Sequence, residues 1–341
     1  MAVLNAPPKP PIYLPMKSSN LRFLACTILL AVSISGFAAD TRGGDLNRHA
    51  KAPNIAVQEA ASLLNSWRGD GAVLRDAKQK LDRALAADPS NAQAYREYAR
   101  YYIMLEAPRW FEDADQALHK ALSLSPGYAE AYVLQGHLYY LDGRLEAAEQ
   151  ALKNAERLGT NDPWLQLNWA DVLFAKEQYA DAAQRCKTVL NSNTKNSKAL
   201  VTAYDCAIKY HIHVGELAKA DEMHRKLIEL EPTTAWLRGN YGAFLLCARD
   251  NPAEAMSRFK EALSIMNYGM ARSGLAASIH RFRAAQLGMG NRANADELQA
   301  EASALSPGSP LEVVKRFCGS GPAVDSMMKF ERKKPIVLRS L

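Results

Sequence analysis

Residues 129–162 read AEAYVLQGHLYYLDGRLEAAEQALKNAERLGTND, and residues 163–196 read PWLQLNWADVLFAKEQYADAAQRCKTVLNSNTKN; the two align without a gap over 34 positions. In the first segment Tyr132, Gly136, Tyr139, Gly143, Ala148, Leu152 and Ala155 hold the fourth, eighth, eleventh, fifteenth, twentieth, twenty-fourth and twenty-seventh places. The second has Trp169 at the seventh place, Ala170 at the eighth, Leu173 at the eleventh, Ala182 at the twentieth, Cys186 at the twenty-fourth and Val189 at the twenty-seventh. Large residues three or four apart draw one apolar stripe along a helix. Gly or Ala at the eighth and twentieth places lets two helices approach closely, and the polar turn Leu141-Asp142-Gly143-Arg144 separates them. The spacing therefore predicts a helix pair, repeated.

Outward from these segments, second helices end at proline or a polar stop: Asp88-Pro89, Ser125-Pro126, Glu231-Pro232 and Ser306-Pro307. The pattern resembles the tetratricopeptide repeat family, and it does so over about three quarters of the chain. The resemblance implies an all-α fold, an α-α superhelix of about seven antiparallel helix pairs. The array is expected over residues 54–310, in units 54–91, 92–128, 129–162, 163–196, 197–234, 235–269 and 270–309. The second unit carries an insertion near Glu106-Ala107-Pro108, and the fifth has a first helix about a turn too long through Lys209-Tyr210-His211-Ile212-His213. The first and last units match least, as capping repeats do.

Composition agrees with helices. The 341 residues are 48% hydrophobic, 23% charged and only 8% aromatic, with alanine throughout. A formal charge of +6 is small for this length, so a nucleic-acid partner is not expected. The charge also sits at the ends. Residues 311–341 carry seven Lys/Arg against three acids and residues 1–39 add three cations, which leaves the body at −1. This basic tail begins as a short capping helix, LEVVKRF, and then reads as a solvated terminus or as an element for weak contact with an anionic membrane or polymer.

Residues 21–39, LRFLACTILLAVSISGFAA, follow Lys17 and end in small residues before Asp40, the layout of a secretory signal. Residues 1–39 are expected to be that signal, with Met16 a candidate true start and cleavage after Ala38 or Ala39. The apolar centre falls short of the about 20 residues of a membrane span, so an uncleaved anchor is the lesser alternative. Export places the chain in the periplasm or cell envelope, with residues 40–53 as a flexible lead-in. Removing Cys26 leaves Cys186, Cys206, Cys247 and Cys318. Scattered in a chain with ample core, these are expected to act as small buried hydrophobes; if any pair is bonded, Cys186 and Cys206 on successive helices are the candidates.

Catalytic chemistry is hard to find. Gly288-Met289-Gly290-Asn291-Arg292-Ala293 matches a dinucleotide-loop pattern in letters, but helical sequence precedes it, so it reads as a turn between helices. His211, His213 and His224 form a weak metal candidate, since residues two apart on a helix face nearly opposite sides. No nucleophile elbow or catalytic-cysteine sequence occurs. The chain is expected to be no enzyme and to hold no cofactor and no metal.

The resemblance implies instead a concave groove lined by the first helix of each unit, with the second, fifth, ninth and twelfth places pointing into it. These places hold Gln93, Arg96 and Arg100; then Glu130, Val133, His137 and Tyr140; then Trp164, Leu167, Asp171 and Phe174. The fifth and sixth units add Lys198, Asp205, Trp236 and Gly239. Arginine and aromatic side chains are frequent binding anchors, though Tyr140, Trp164 and Phe174 could equally pack between neighbouring units. Truncating Arg96 is expected to leave the fold intact and weaken binding. The Lys-x-x-x-Asn spacing of chaperone-binding members occurs only at Lys187 and Asn191, at the end of a second helix.

The expected function is a protein–protein scaffold or adaptor of a bacterial cell envelope, holding a peptide or helix of a partner protein in its groove. One alternative is an assembly factor for a surface appendage, because Arg238-Gly239-Asn240-Tyr241-Gly242-Ala243-Phe244-Leu245 is similar to a stretch in the repeat lipoproteins that help assemble type IV pili. Another is an enzyme or enzyme subunit acting on envelope polymers, supported by the aromatic groove alone.

Overall fold

The computed structural model describes residues 55–67 and 69–333. The signal, the lead-in and the last eight residues of the basic tail lie outside the described residues. Among those described there are sixteen helices and no strand. They are α1 (Ile55–Ser66), α2 (Gly71–Ala87), α3 (Ala92–Leu105), α4 (Trp110–Leu124), α5 (Ala129–Leu141), α6 (Leu145–Leu158), α7 (Pro163–Ala175) and α8 (Tyr179–Leu190). The rest are α9 (Ser197–His213), α10 (Leu217–Leu230), α11 (Ala235–Cys247), α12 (Pro252–Ile265), α13 (Gly269–Gly288), α14 (Ala295–Leu305), α15 (Pro310–Cys318) and α16 (Pro322–Lys333). Two compact units divide the chain inside α9, after Tyr210.

Local chemistry sets the boundaries. Asp162 accepts from the Trp164 amide at 3.0 Å while Pro163 opens α7, and Asn91 caps α3 in the same way at 3.0 Å. Gly159, at φ 76°, closes α6 in the left-handed conformation. The second-unit insertion is a break between α3 and α4 in which Glu106 and Arg109 both take positive φ. Helix α9 spans 17 residues where α5 and α7 span 13.

In unit 1 α1 pairs with α2, α3 with α4, α5 with α6 and α7 with α8, and the first helices α1, α3, α5 and α7 also pack in succession. The repeated small residues make this stacking close. Ala148, Ala155, Ala170 and Ala182 are fully buried, and a Cβ on Gly136 would lie 2.6 Å from Cδ2 and 2.7 Å from Cγ of Leu152. Tyr132 and Tyr139 pack half-buried against the core, and the Tyr139 hydroxyl donates to Asp115 on the preceding pair at 3.0 Å. Curvature brings the start of α9 round to the end of α1, where the Lys198 ammonium donates to the Asn65 carbonyl.

Unit 2 pairs α11 with α12 and α13 with α14. Phe259 fills the space that Gly242 and Gly274 leave open, since a Cβ on Gly274 would lie 2.3 Å from its ring. The resemblance of residues 238–245 to a pilus-assembly stretch has a packing explanation here: Gly239 is closed off by the Tyr268 hydroxyl, and Tyr241, Phe244 and Leu245 are core. Gly290 lies at φ 80° in the turn between α13 and α14, as the glycine-rich stretch predicted.

Two expectations are corrected. The four remaining cysteines are not free buried hydrophobes: Cys186 bonds to Cys206, tying α8 to α9, and Cys247 bonds to Cys318, tying α11 to α15. Stacking brings their Cα atoms to 6.3 Å and 5.3 Å, within disulfide reach. The tail, expected to leave the fold after one short helix, instead forms two. Ser309 and Glu312 make a capping box on α15, and Pro322 then opens α16 with Ala323, Val324 and Met327 buried. Helix α16 packs on α11, α13 and α15. Ser326 donates to Asp250 at 2.7 Å, and Asp250 in turn takes a bidentate ion pair from Arg281 with both contacts at 2.7 Å.

Among the described residues no helix is long and apolar enough to cross a membrane, and no group of three His, Cys, Asp or Glu could hold a metal ion. His211 at the end of α9 faces Glu216 at 2.8 Å.

Candidate functional site

The places expected to line a groove separate into two kinds. The fifth place is buried in every unit where it was named: Arg96, Val133, Leu167 and Gly239 are all sealed. Successive first helices pack closely enough to close over it. The ninth and twelfth places of α5 and α7 stay half-exposed, with His137, Tyr140, Asp171 and Phe174 in that state. Trp236 in unit 2 is also half-buried.

Arg96 and Arg100 require a correction. Their side chains are 7% and 0% exposed, and both guanidinium groups bind Glu97, Arg100 at 2.6 Å and Arg96 closer still. Arg100 also donates to Asn65 Oδ1 at 2.7 Å, so this part of α3 is fastened to α1. Burial works against the Arg96 charge, yet Glu97, with Asp162 and Glu130 nearby, holds it ionised beyond the ordinary arginine range. Burial also pulls Arg100 down from that range. A buried ion network of this kind positions helices, and neither arginine is an available anchor. Trp164 is corrected likewise: it is 4% exposed and packs into the core of unit 1.

A second polar group lies at the later places of the first helices. Asp205 on α9, itself buried, takes Lys209 at 2.7 Å, one helical turn on. Burial opposes the Lys209 charge, but Asp205 outweighs it and holds the ammonium above the usual lysine range, with Asp171 and Tyr140 adding to the effect. Asp171 on α7 has neither a hydrogen bond nor an ion pair. Burial pushes its carboxyl up to about 6; Lys209 pulls against that shift and Asp205 adds to it. His137, at the same ninth place one unit earlier, is pushed down to about 4 by burial, and its Nδ1 is sealed without a partner. The Tyr140 ring lies 6.5 Å from that imidazole, and Phe174 closes the row on α7, 5.8 Å from the Tyr179 ring.

Sequence spacing placed His137, Tyr140, Asp171, Phe174 and Asp205 on first helices; of these the structure sets Tyr140 beside His137, and Asp171, Asp205 and Tyr140 all act on the Lys209 ammonium. It missed Glu97 and Lys209. Both fall at places the repeat leaves undefined, and the one signal for them was charge three or four residues from a named neighbour.

Unit 2 treats the corresponding places differently. Leu246 at the twelfth place of α11 and Ser278 at the ninth of α13 are fully buried, and Arg281 at the twelfth of α13 is engaged with Asp250. Helix α16 lies on these same first helices. His280 beside them is pushed down to about 4 by burial, and neither ring nitrogen has a partner.

No protein-family model matches the sequence, and no curated protein matches it. Solved structures do share its architecture. The APC/C hetero-tetramer Cut9-Hcn1 matches with TM-score 0.55 at 18% identity, over 65% of this chain and 42% of that one. The chain therefore spans less than half of that structure's length. Pseudomonas aeruginosa pilF matches with TM-score 0.52 at 16% identity, over 69% of this chain and 99% of that one. Human IFIT1, in a dimer with PPP-AAAA, matches with TM-score 0.52 at 15% identity, over 83% of this chain and 72% of that one. At these identities the likeness concerns fold alone, and with the 34-residue helix pairs it establishes that the described chain has the tetratricopeptide-repeat fold.

Proposed function

We propose that the chain is a non-enzymatic scaffold that holds a peptide or helix of a partner protein on the first-helix face of unit 1. One observation carries the reading. Tyr140, Asp171 and Phe174 remain reachable there, whereas at the matching places of unit 2 Leu246 and Ser278 are buried, Arg281 is engaged with Asp250, and half-exposed Ala243 offers only a methyl group. Aromatic rings beside a carboxylate give a partner both apolar area and a polar anchor. Nothing in the row has the geometry of a nucleophile with its base: His137 Nδ1 has no partner, and Lys209 is held by Asp205.

The setting we infer is an oxidising one, the periplasm or cell envelope reached through the signal in residues 1–39. Two disulfides support it, because such bonds persist outside the reducing cytosol. The test is a double substitution, Tyr140→Ala with Phe174→Ala, made in the full chain. Proteins recovered from the periplasm with the wild type by crosslinking should be lost with the double variant while its thermal midpoint stays within a few degrees. Recovery unchanged in a folded variant would place the binding surface elsewhere.

A further inference from the structure

On α7 and α9 of unit 1 two carboxylates, Asp171 and Asp205, share one ammonium, Lys209. Lys209 is committed to Asp205 at 2.7 Å, and His137, with its titration pushed down to about 4, is neutral near pH 7. Asp171 is the remainder. It is half-buried, has no hydrogen bond or ion pair, and sits at a ninth place with Tyr140 and Phe174 at the neighbouring twelfth places. Withdrawing a carboxylate from water with no counter-charge in direct contact is costly, so folded proteins pair such groups or use them. A second observation points the same way. His137 Nδ1 is shut off from water and finds no partner in the protein, so polar capacity is left over on two adjacent helices.

We propose that Asp171 is the socket for a lysine or arginine side chain of the partner polypeptide, whose methylene stem lies along Tyr140 and Phe174. The proposal rests on the reading of unit 1 as the partner-binding face. It names the chemistry that face selects. An aromatic wall suits the apolar stem, and a cation near the ring faces gains further attraction. The charged groups acting on Asp171 are Asp205 and Lys209 on α9, Tyr140 on α5 acts on that same ammonium, and the two carboxylates with one ammonium leave the site at −1 near neutral pH. Arg96 and Arg100 play no part, since Glu97 holds both.

The experiment titrates the full chain with three synthetic pentapeptides, acetyl-Phe-Ala-X-Ala-Phe-amide with X lysine, norleucine or glutamate, followed by methyl and amide resonances. The lysine peptide should shift signals around Asp171, His137 and Tyr140 and bind about tenfold more tightly than the norleucine peptide, the margin a charge-assisted hydrogen bond supplies. Asp171→Asn should remove that margin and leave norleucine binding as it was. In the wild type the margin should shrink as pH falls through about 6, where Asp171 takes up a proton. Lysine and norleucine peptides shifting these signals equally would overturn the cation site while leaving the binding face in place. Shifts confined to other parts of the chain, or no shifts with any peptide, would overturn both. Should Asp171→Asn fold poorly, the comparison of lysine with norleucine on the wild type decides alone.

Discussion

Single residues set how closely the helix pairs approach. Gly136 faces Leu152 across its pair with no space for a methyl group, so Gly136→Leu should lower stability by about 1–3 kcal/mol or more. A shifted urea midpoint at unchanged m-value would show it. Glu97 is the anion between two buried cations, and Glu97→Ala should cost about 3–5 kcal/mol by leaving both uncompensated. Arg96→Ala belongs with it and should destabilise the fold, where spacing alone predicted a tolerated groove residue. A third effect depends on pH. His280 is 1% exposed and pushed down to about 4, so unfolding lets it bind a proton that the folded state refuses. Its contribution is fully present above the unfolded value of about 6.5 and is lost as pH falls from there toward 4, up to about 3 kcal/mol. Melting curves between pH 7 and pH 4 should flatten in His280→Gln. A slope identical to the wild type's would assign the loss to other groups. Gly136 and Asp171 were legible because the repeat defines their places. Glu97 was not, because its importance comes from arginines that spacing sends toward a groove and packing turns inward.

At the scale of elements, the boundaries of α5, α6 and α7 follow from proline, glycine and capping side chains that can be read in one dimension. The fate of the C-terminal helices could not be read that way. Gly319, Ser320, Gly321 and Pro322 look like a break, and only the packing of Ala323, Val324 and Met327 on distant helices turns the segment back. Helix α15 is held by the Cys247–Cys318 bond, which closes a span of 71 residues. Removing it with Cys318→Ser should cost unit 2 about 2–5 kcal/mol. Hydrogen exchange should then speed up in α15 and α16 first, with α11 and α12 following. Uniform exchange across unit 2 would mean that the bond supports the whole unit and not these helices in particular.

Across the whole molecule, the fold class was plain from two gapless segments, since a pattern that recurs at fixed length leaves few architectures open. The covalent pairing was not. Cysteine on a helix has the same appearance whether it is buried alone or bonded, and the partner of Cys247 lies in a segment that reads as a tail. If the signal is removed, every remaining cysteine is engaged. Iodoacetamide should therefore add nothing to the unreduced mature protein and four groups after reduction, as counted by intact mass. N-terminal sequencing of the same sample should begin at Ala39 or Asp40. One or more thiols labelled without reduction would show that the chain is not oxidised where it works.

A module that seats itself on its predecessor can seat itself on a stranger. An uncovered last pair would offer the next molecule what it offers its own sequence, and chains could polymerise head to tail. Here α15 takes that seat with Glu312, Lys315 and Arg316 turned to water, α16 doubles back behind it, and a covalent bond keeps both in place. Whatever lies beyond, the stacking face of the α13–α14 pair is thus already taken by helices of its own chain.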